Sequence, residues 1–594
     1  MKFKFLKINA VNIIFIAIIS SVLIVVFVNR MNNSFNENNI ENLENISLLT
    51  SFENWHVNHG DAQLNRYVDL NEINISNVNN LELMWQLDLE NHDFQVQSSA
   101  VVFNELIISH TADNKLIAID VSSGNIIWTF YSKFSSLNSR GLIIFEEKIY
   151  TMEGNYLICI NPKDGKACDN FGIDGYVTLE HKSKINPIIY KNSILVLTMN
   201  PTIVKIDLKD GSILWEKNLG EDNLSFSPWG AASIDYSRGV IYTTTGNPKP
   251  TFDGSARPGN NLYANSLLAI SADSGEVIWH FQETRHDIWN LDIAAGPILS
   301  TIYNGKNYID VVIGLTKIGN ILVFDRSSGK SIYPIGEFQT VTSKRGTESI
   351  SKYQPSIQFP EPFSKQEFTL NDITNLSTEK YNYVKEIVKS SNIGRLIPHE
   401  PNAPSVYFGV HGGAQWPGGA LNPNTNILFF ASSHIPWILE FEEENESLNL
   451  KEWKQLLDDE GYPGSKPPWG TLNAYNMNNG EKLWTVPFGE YSNLSMQGFP
   501  ITGTENFSGP TVTSGELLFV SGARDKYLYA INTNNGETLW KYKLPFTGAA
   551  APTVFEYMNK QYVFVQSTGG GKLKQFDKFN EIKEGNSYFL FSLP

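Results

Sequence analysis

One grammar recurs along the chain and limits what it can fold into. In Leu267–Phe281 it reads LLAISADSGEVIWHF: an apolar strand, a turn closing on glycine, and a second strand closing on tryptophan. The order returns in LIAIDVSSGNIIWTF, LICINPKDGKACDNF, IVKIDLKDGSILWEK, ILVFDRSSGKSIYPI, LNAYNMNNGEKLWTV and LYAINTNNGETLWKY. Alternating apolar residues make a half-buried strand. Asp/Asn-x-x-x-Gly, present in most copies, supplies a turn whose last residue tolerates positive φ. The tryptophan falls at one point of most units, where it can wedge between neighbours. Strands at this period, without helices between them, read as a β-propeller with one four-stranded sheet per repeat.

The turn glycines Gly124, Gly165, Gly211, Gly275, Gly329, Gly480 and Gly536 lie 41 to 64 residues apart, except for a gap of 151 after Gly329. That gap is too long for one blade, so a degenerate copy is expected inside it; ALNPNTNILFF, Ala420–Phe430, fits. The expectation is an all-β, eight-bladed propeller of the tryptophan-docking type over residues 51–594, with segments near both termini sharing a closing sheet because a ring needs its edges paired. An insertion, Pro334–Pro404, interrupts it. Within that insertion, Tyr383, Val384, Ile387 and Val388 are spaced for a short helix over Ser377–Ser390. A second insertion, Glu442–Pro468, is acidic and expected to be exposed.

Residues 8–28 form the only long apolar run, and at ~1.5 Å per residue they match a bilayer's hydrocarbon thickness. Lys2, Lys4 and Lys7 precede it, which places the N-terminus in the cytoplasm. No small-x-small pattern follows. The expectation is therefore an uncleaved transmembrane helix in residues 1–30, an Asn-rich linker over 31–50, and a propeller in the periplasm, anchored single-pass to the inner membrane. A formal net charge of −16 with no basic stripe argues against nucleic acid as a partner. Cys159 and Cys168 flank one repeat turn and read equally as a disulfide or as two unpaired thiols. No Cys-x-x-Cys-His occurs, so the chain carries no c-type haem.

Segments between the repeats carry the chemistry. They are SPWG (Ser227–Gly230), TTTGNP (Thr243–Pro248), RPGNNLYANS (Arg257–Ser266), HDIWNLD (His286–Asp292), TKIGNILVFDR (Thr316–Arg326), GGAQWPGGALNP (Gly412–Pro423), PPWGTLNA and TGGGKL. In this order, between these repeats, they resemble the pyrroloquinoline quinone (PQQ)-dependent dehydrogenases, most closely the membrane-anchored, glucose-dehydrogenase-like branch. The resemblance runs from about Trp55 to Leu573. It implies PQQ and Ca2+ or a lanthanide on the propeller axis, an alcohol or sugar substrate, and ubiquinone or a separate cytochrome as electron acceptor.

PQQ is flat and triply anionic, so it needs an aromatic floor, cations for its carboxylates and a hard cation at its carbonyl. By resemblance, Trp229 is the floor and Arg140 pairs with the carboxylates. Lys317 supports the quinone carbonyls as they gain charge. Asn247 offers an amide oxygen to the metal, and Gln97, Gln415 and Trp416 line the pocket. A further core tryptophan, a surface arginine, a solvated lysine and an Asx turn are the plain alternatives for the first four.

One departure bears on catalysis. The family's base is the Asp directly after Trp in His-Asp-x-Trp-Asp; here that position is Asn290. An amide cannot take a hydroxyl proton as a carboxylate can. Asp292 follows two residues later, on the same side if the segment is a strand, and can serve as base, as metal ligand, or as both. LTMNPTIVKID also lacks an acidic metal ligand that relatives often carry there. Both gaps leave open a propeller that kept the ring and lost catalysis. His286 and Asp287 read either as support for the site or as loop structure.

Overall fold

The structure, a computed structural model, describes residues 49–50, 55–133, 140–220, 224–345, 348, 350–507 and 509–594. The chain divides into two compact units, Met1–Ser51 and Phe52–Pro594. The apolar run 8–28 and the Asn-rich segment lie outside the described residues. Among the described residues no helix is long and apolar enough to cross a membrane.

The second unit is an all-β, propeller-like fold. Its repeats form antiparallel sheets in chain order: Val101–Tyr131, Leu142–Thr178, Ile188–Asn218 and Ala232–Gln282, each of four strands. A three-stranded sheet spans Ile298–Asp325. Four strands within Gly419–Pro487 make the next, and Thr511–Lys543 makes another, extended by Tyr67–Val68. In the last, Glu82–Asp88 pairs with Asn586–Ser592, which continues to Lys560–Thr568 and Thr553–Tyr557. A strand from near the start of the unit thus closes a sheet built by its end.

Five of the seven clear repeats are the third and fourth strands of one sheet, while LICINPKDGKACDNF and ILVFDRSSGKSIYPI hold only the third, and this corrects one expectation. Ala420–Phe430 is no separate degenerate copy. It lies in the first hairpin, Gly419–Asn422 with Ile427–Ser433, of the sheet that ends in the copy at Gly480. Its Asn-Pro-Asn-Thr-Asn turn imitates the repeat turn, because any hairpin of a sheet shares alternation and turn chemistry.

The tryptophans do wedge between neighbours. Trp279 sits where a Cβ on Gly329, whose φ is +66°, would come within 2.6 Å of its ring, and its indole N–H donates to the Arg326 carbonyl at 3.0 Å. Trp85, Trp128, Trp215 and Trp484 meet Gly124, Gly165, Gly275 and Gly536 in the same way. A methyl at the Gly329 site would collide with the indole, which is why the turn and the tryptophan travel together in the repeat. The sheet Leu142–Thr178 has no tryptophan at that point; there Cys159 and Cys168 form a disulfide.

Trp55–Val68 threads the axis. Carbonyls of Trp55, His56, Ala62, Gln63, Asn65 and Arg66 accept from Val102, Ile144, Ile234, Leu299, Leu421 and Val512, residues on the first strands of six of these sheets.

The insertion forms a hairpin, Ile335–Gln339 with Tyr353–Ile357, then a helix, Thr378–Lys389, capped by the Ser377 hydroxyl. Val384 and Val388 are buried in that helix, but Tyr383 is exposed: the inward stripe is Lys380, Val384, Val388, and Tyr383 lies one step round the helix from it. Glu442–Pro468 is also corrected. It begins inside a hairpin, Trp437–Glu444 with Ser447–Gln455, whose tip is exposed, but Leu456, Asp458, Tyr462 and Ser465 are buried beyond it.

Candidate active site

HDIWNLD is not a strand. It is an irregular loop in which Asn290 takes φ +62°, a left-handed conformation that Asn tolerates. The two-residue strand period therefore does not place Asp292; the loop's own hydrogen bonds do. Buried Asp287 accepts from the backbone N–H of Trp289 (2.7 Å) and Leu291 (2.9 Å) and from Asn265 Nδ2 (2.9 Å). Burial raises its carboxyl above the usual range, and the Asp292 charge adds to the rise.

The insertion and the strand Ser405–Tyr407 that follows it brace this loop. Ile397 O accepts from Trp289 Nε1 at 2.8 Å, Ile288 O from His399 Nε2 at 2.8 Å, and Trp289 O from Tyr407 OH at 3.1 Å. His286 Nδ1 donates to Gly259 O at 2.6 Å, while its Nε2 lies 2.8 Å from Glu348 Oε1 in the insertion. His286 and Asp287 thus hold the loop's shape.

Held this way, Asp292 is 1% exposed and central. Its Oδ2 accepts from Trp229 Nε1 at 2.5 Å, and its Oδ1 pairs with buried Lys317 Nζ. Lys317 also donates to Asn290 O at 3.3 Å and lies over the Trp229 ring, 5.6 Å from its centroid. The turn Thr316–Asn320 can approach because Gly413 faces it: a Cβ there would stand 2.3 Å from Lys317 O. Asn247 Nδ2 donates to Asn290 Oδ1 at 3.1 Å.

Arg140 completes the group from just before the first strand of the sheet Leu142–Thr178. Its Nε donates to Gln97 Oε1 at 2.8 Å and its Nη1 to Trp229 O at 2.7 Å. Its guanidinium carbon lies 4.8 Å from the Trp229 ring centroid and 4.9 Å from that of Trp416. Burial pulls the guanidinium down to about 9, with Asp292 opposing. Trp416 stacks on Phe507 at 5.0 Å, and its buried indole N–H has no partner among the described residues. Gln415 turns into its own loop, donating to Gly412 O at 3.0 Å, and makes no bond to the others.

Sequence reasoning missed four neighbours. The Lys184 carbonyl accepts from Arg140 N, and its amine is pulled down by burial with Arg140 repelling it. Lys249 Nζ donates to Asn247 Oδ1 at 3.4 Å. His411 lies among Trp437, Trp453 and Phe576; burial holds it well below 6.5, and the charges of Lys317 and Lys572 lower it further. Lys572, in TGGGKL, lines a cleft of about 510 Å³ together with Gln97, Phe94 and Gln95. TGGGKL was the signal available for Lys572; the others resemble ordinary surface or core residues in the sequence.

The arrangement suits a flat polycarboxylate. A buried guanidinium between two indole faces bonds only neutral acceptors, although a buried charge calls for an anionic partner. Cations gather here in a chain whose formal charge is −16. Amide and carboxylate oxygens of Asn247, Asn290 and Asp292 are the hard donors that Ca2+ or a lanthanide takes.

The sequence matches the family described as PQQ: Glucose/ethanol/alcohol dehydrogenase, beta-propeller domain, over residues 55–208 and 215–563. The chain belongs to this PQQ-dependent dehydrogenase family. Quinoprotein glucose dehydrogenase A of Acinetobacter calcoaceticus is 25% identical over 632 residues, covering 89% of this chain and 78% of that protein. Quinate/shikimate dehydrogenase (quinone) of Acinetobacter baylyi is 24% identical, covering 87% and 77%. A europium-containing methanol dehydrogenase superposes with a TM-score of 0.70 at 18% identity, covering 93% of this chain and all of that one, a likeness of fold. PQQ is the cofactor that the family's description names.

Proposed function

We propose that the protein is an exported PQQ-dependent dehydrogenase that oxidises a hydroxyl of an alcohol or a sugar. The observation that carries this reading is the constellation of half-buried Arg140 and Trp229 with buried Lys317 and Asp292 in a chain of the PQQ-dependent family. When bound, PQQ supplies the two-electron acceptor, and Ca2+ or a lanthanide supplies a Lewis acid beside its carbonyl. Arg140 and Lys184 face its carboxylates, and Trp229 forms the floor with Trp416 beside it. Lys317 holds positive charge where negative charge develops. Asp292 accepts the substrate's hydroxyl proton, which the Asn290 amide cannot do. Asn247 and Asp292 offer oxygens to the metal. The cleft beside Gln97 and Lys572 is the route in from solvent.

In this reading the eight antiparallel sheets are eight blades of one ring over residues 51–594. Residues 1–30 anchor it in the inner membrane through the run 8–28, with 31–50 as linker and the ring in the periplasm. The Cys159–Cys168 disulfide supports an oxidising compartment. Electrons pass to ubiquinone or to a separate cytochrome, since the chain has no haem-attachment motif.

The test is reconstitution of the full chain in detergent with PQQ and either Ca2+ or La3+, followed by dye reduction over a panel of alcohols, aldoses and cyclic hydroxy acids. Metal-dependent turnover that disappears in folded Asp292→Asn is expected. Failure to bind PQQ would sink the reading. Asn290 favours one alternative, a propeller that binds without catalysing; stoichiometric PQQ binding with no turnover on any substrate would support it.

A further inference from the structure

Every oxygen positioned for the metal already accepts from a protein N–H. Asp292 Oδ2 takes Trp229 Nε1 at 2.5 Å, and Asp292 Oδ1 takes Lys317. Asn290 Oδ1 takes Asn247 Nδ2 at 3.1 Å, and Asn247 Oδ1 takes Lys249 Nζ at 3.4 Å. Three of these donors have a role in the proposed reaction. Lys249 has none so far: it is an exposed residue two positions after Asn247, steadied by Thr251 Oγ1 at 3.0 Å. Among the charges around its ammonium, Asp292 is the foremost, followed by the repelling Lys317.

We propose that Lys249 is a resident cation of the metal position, its ammonium sitting on the Asn247 amide oxygen and withdrawing before Ca2+ or a lanthanide enters. The proposal rests on the reading of Asn247 and Asp292 as metal ligands. Charge supplies the reason. With Asn290 neutral, the cage holds a single carboxylate, Asp292, and Lys317 already shares it. A monovalent ammonium matches that cage better than a dication, whose affinity grows with ligand charge. Lys249 reaches in from an exposed loop, so its withdrawal returns the ammonium to solvent and frees the buried Asn247 oxygen for the metal. The metal of this chain is therefore exchangeable and weakly held, and the pocket keeps a positive charge beside Asn247 when the metal is absent.

Metal affinity, read without turnover, tests this. Tb3+ luminescence and Ca2+ calorimetry are run on the PQQ-loaded full chain as wild type, Lys249→Met and Lys249→Arg. Removing a unit charge next to the ion should tighten binding by at least about tenfold in Lys249→Met. Lys249→Arg should stay near wild type. Asn247→Ala should erase the difference between Lys249 and Met, because it removes the oxygen they contest. Unchanged or weaker binding in Lys249→Met overturns the proposal, as does a gain that survives Asn247→Ala, or no metal binding in any variant. PQQ loading, read by absorbance in the same samples, separates the two failures. A normal load with unchanged metal affinity overturns only the role of Lys249, whereas a chain that cannot load PQQ overturns the functional reading. In that case the same titrations on the cofactor-free protein still decide the competition at Asn247.

Discussion

Between sheets, tryptophans such as Trp279 rest on the turn glycine of the next repeat, and the contacts are apolar apart from one indole N–H bond. Along the axis, the thread Trp55–Val68 and the site loops bury Asp61, Arg66, Asp292 and Lys317 and half-bury Arg140. Between sheets, the same packing solution repeats because each unit meets a neighbour of the same shape. On the axis no two units are alike, and polar groups face one another where a repeat protein could have been filled with apolar side chains. The difference teaches where function sits: burying charge costs stability, and a fold whose repeats pack this regularly can carry that cost in its centre.

Four changes would break or sharpen this contrast. The largest effect is expected for Asp292→Asn, with turnover per folded molecule falling about a thousandfold, as for loss of a positioned base. It also leaves Lys317 buried without its anion, so thermal unfolding should be followed in the same sample, and Asp292→Asn/Lys317→Met should recover stability but not turnover. Trp279→Ala should act the other way, losing about 3 kcal/mol in denaturant unfolding while the surviving folded molecules keep their turnover. Full loss of turnover at unchanged stability would erase the distinction between the two regions.

Opening the Cys159–Cys168 bridge with Cys159→Ser/Cys168→Ser should cost about 2–3 kcal/mol by loop closure. The bridge stands in a sheet that lacks the tryptophan, so its loss should weigh about as much as that of one tryptophan. The last change concerns Asp61 and is read only against pH. Burial raises its carboxyl from 3.8 to about 7, against the backbone N–H groups of Gln63 and Asn65 that donate to it. The folded state then keeps a proton that the unfolded state releases between these values, so stability falls as pH rises from about 4 to 7. Asp61→Asn removes that fall, and its melting temperature relative to wild type should be more favourable at pH 8 than at pH 5.

Much of the sheet structure was legible because strand alternation and the Asp/Asn-x-x-x-Gly turn act within about fifteen residues. The same locality misled at Ala420–Phe430, where an ordinary first hairpin carries the repeat's chemistry. Arg140, Trp229, Asn247, Asp292 and Lys317 were legible from motifs, and the fold brings them together. Lys184, Lys249 and His411 were not, because a lysine at a site and a solvated lysine are the same letter.

By itself, the sequence determined the repeating strand pairs, the seats for their tryptophans and the residue types that a flat anionic cofactor needs, since each depends on neighbours close in the chain. Only the tertiary structure decided that Glu82–Asp88 joins Asn586–Ser592, that the insertion braces the Asn290–Asp292 loop, and that Lys249 reaches the Asn247 oxygen. Those contacts join segments whose meeting no local pattern encodes, or turn on a loop conformation fixed by partners far away in the chain.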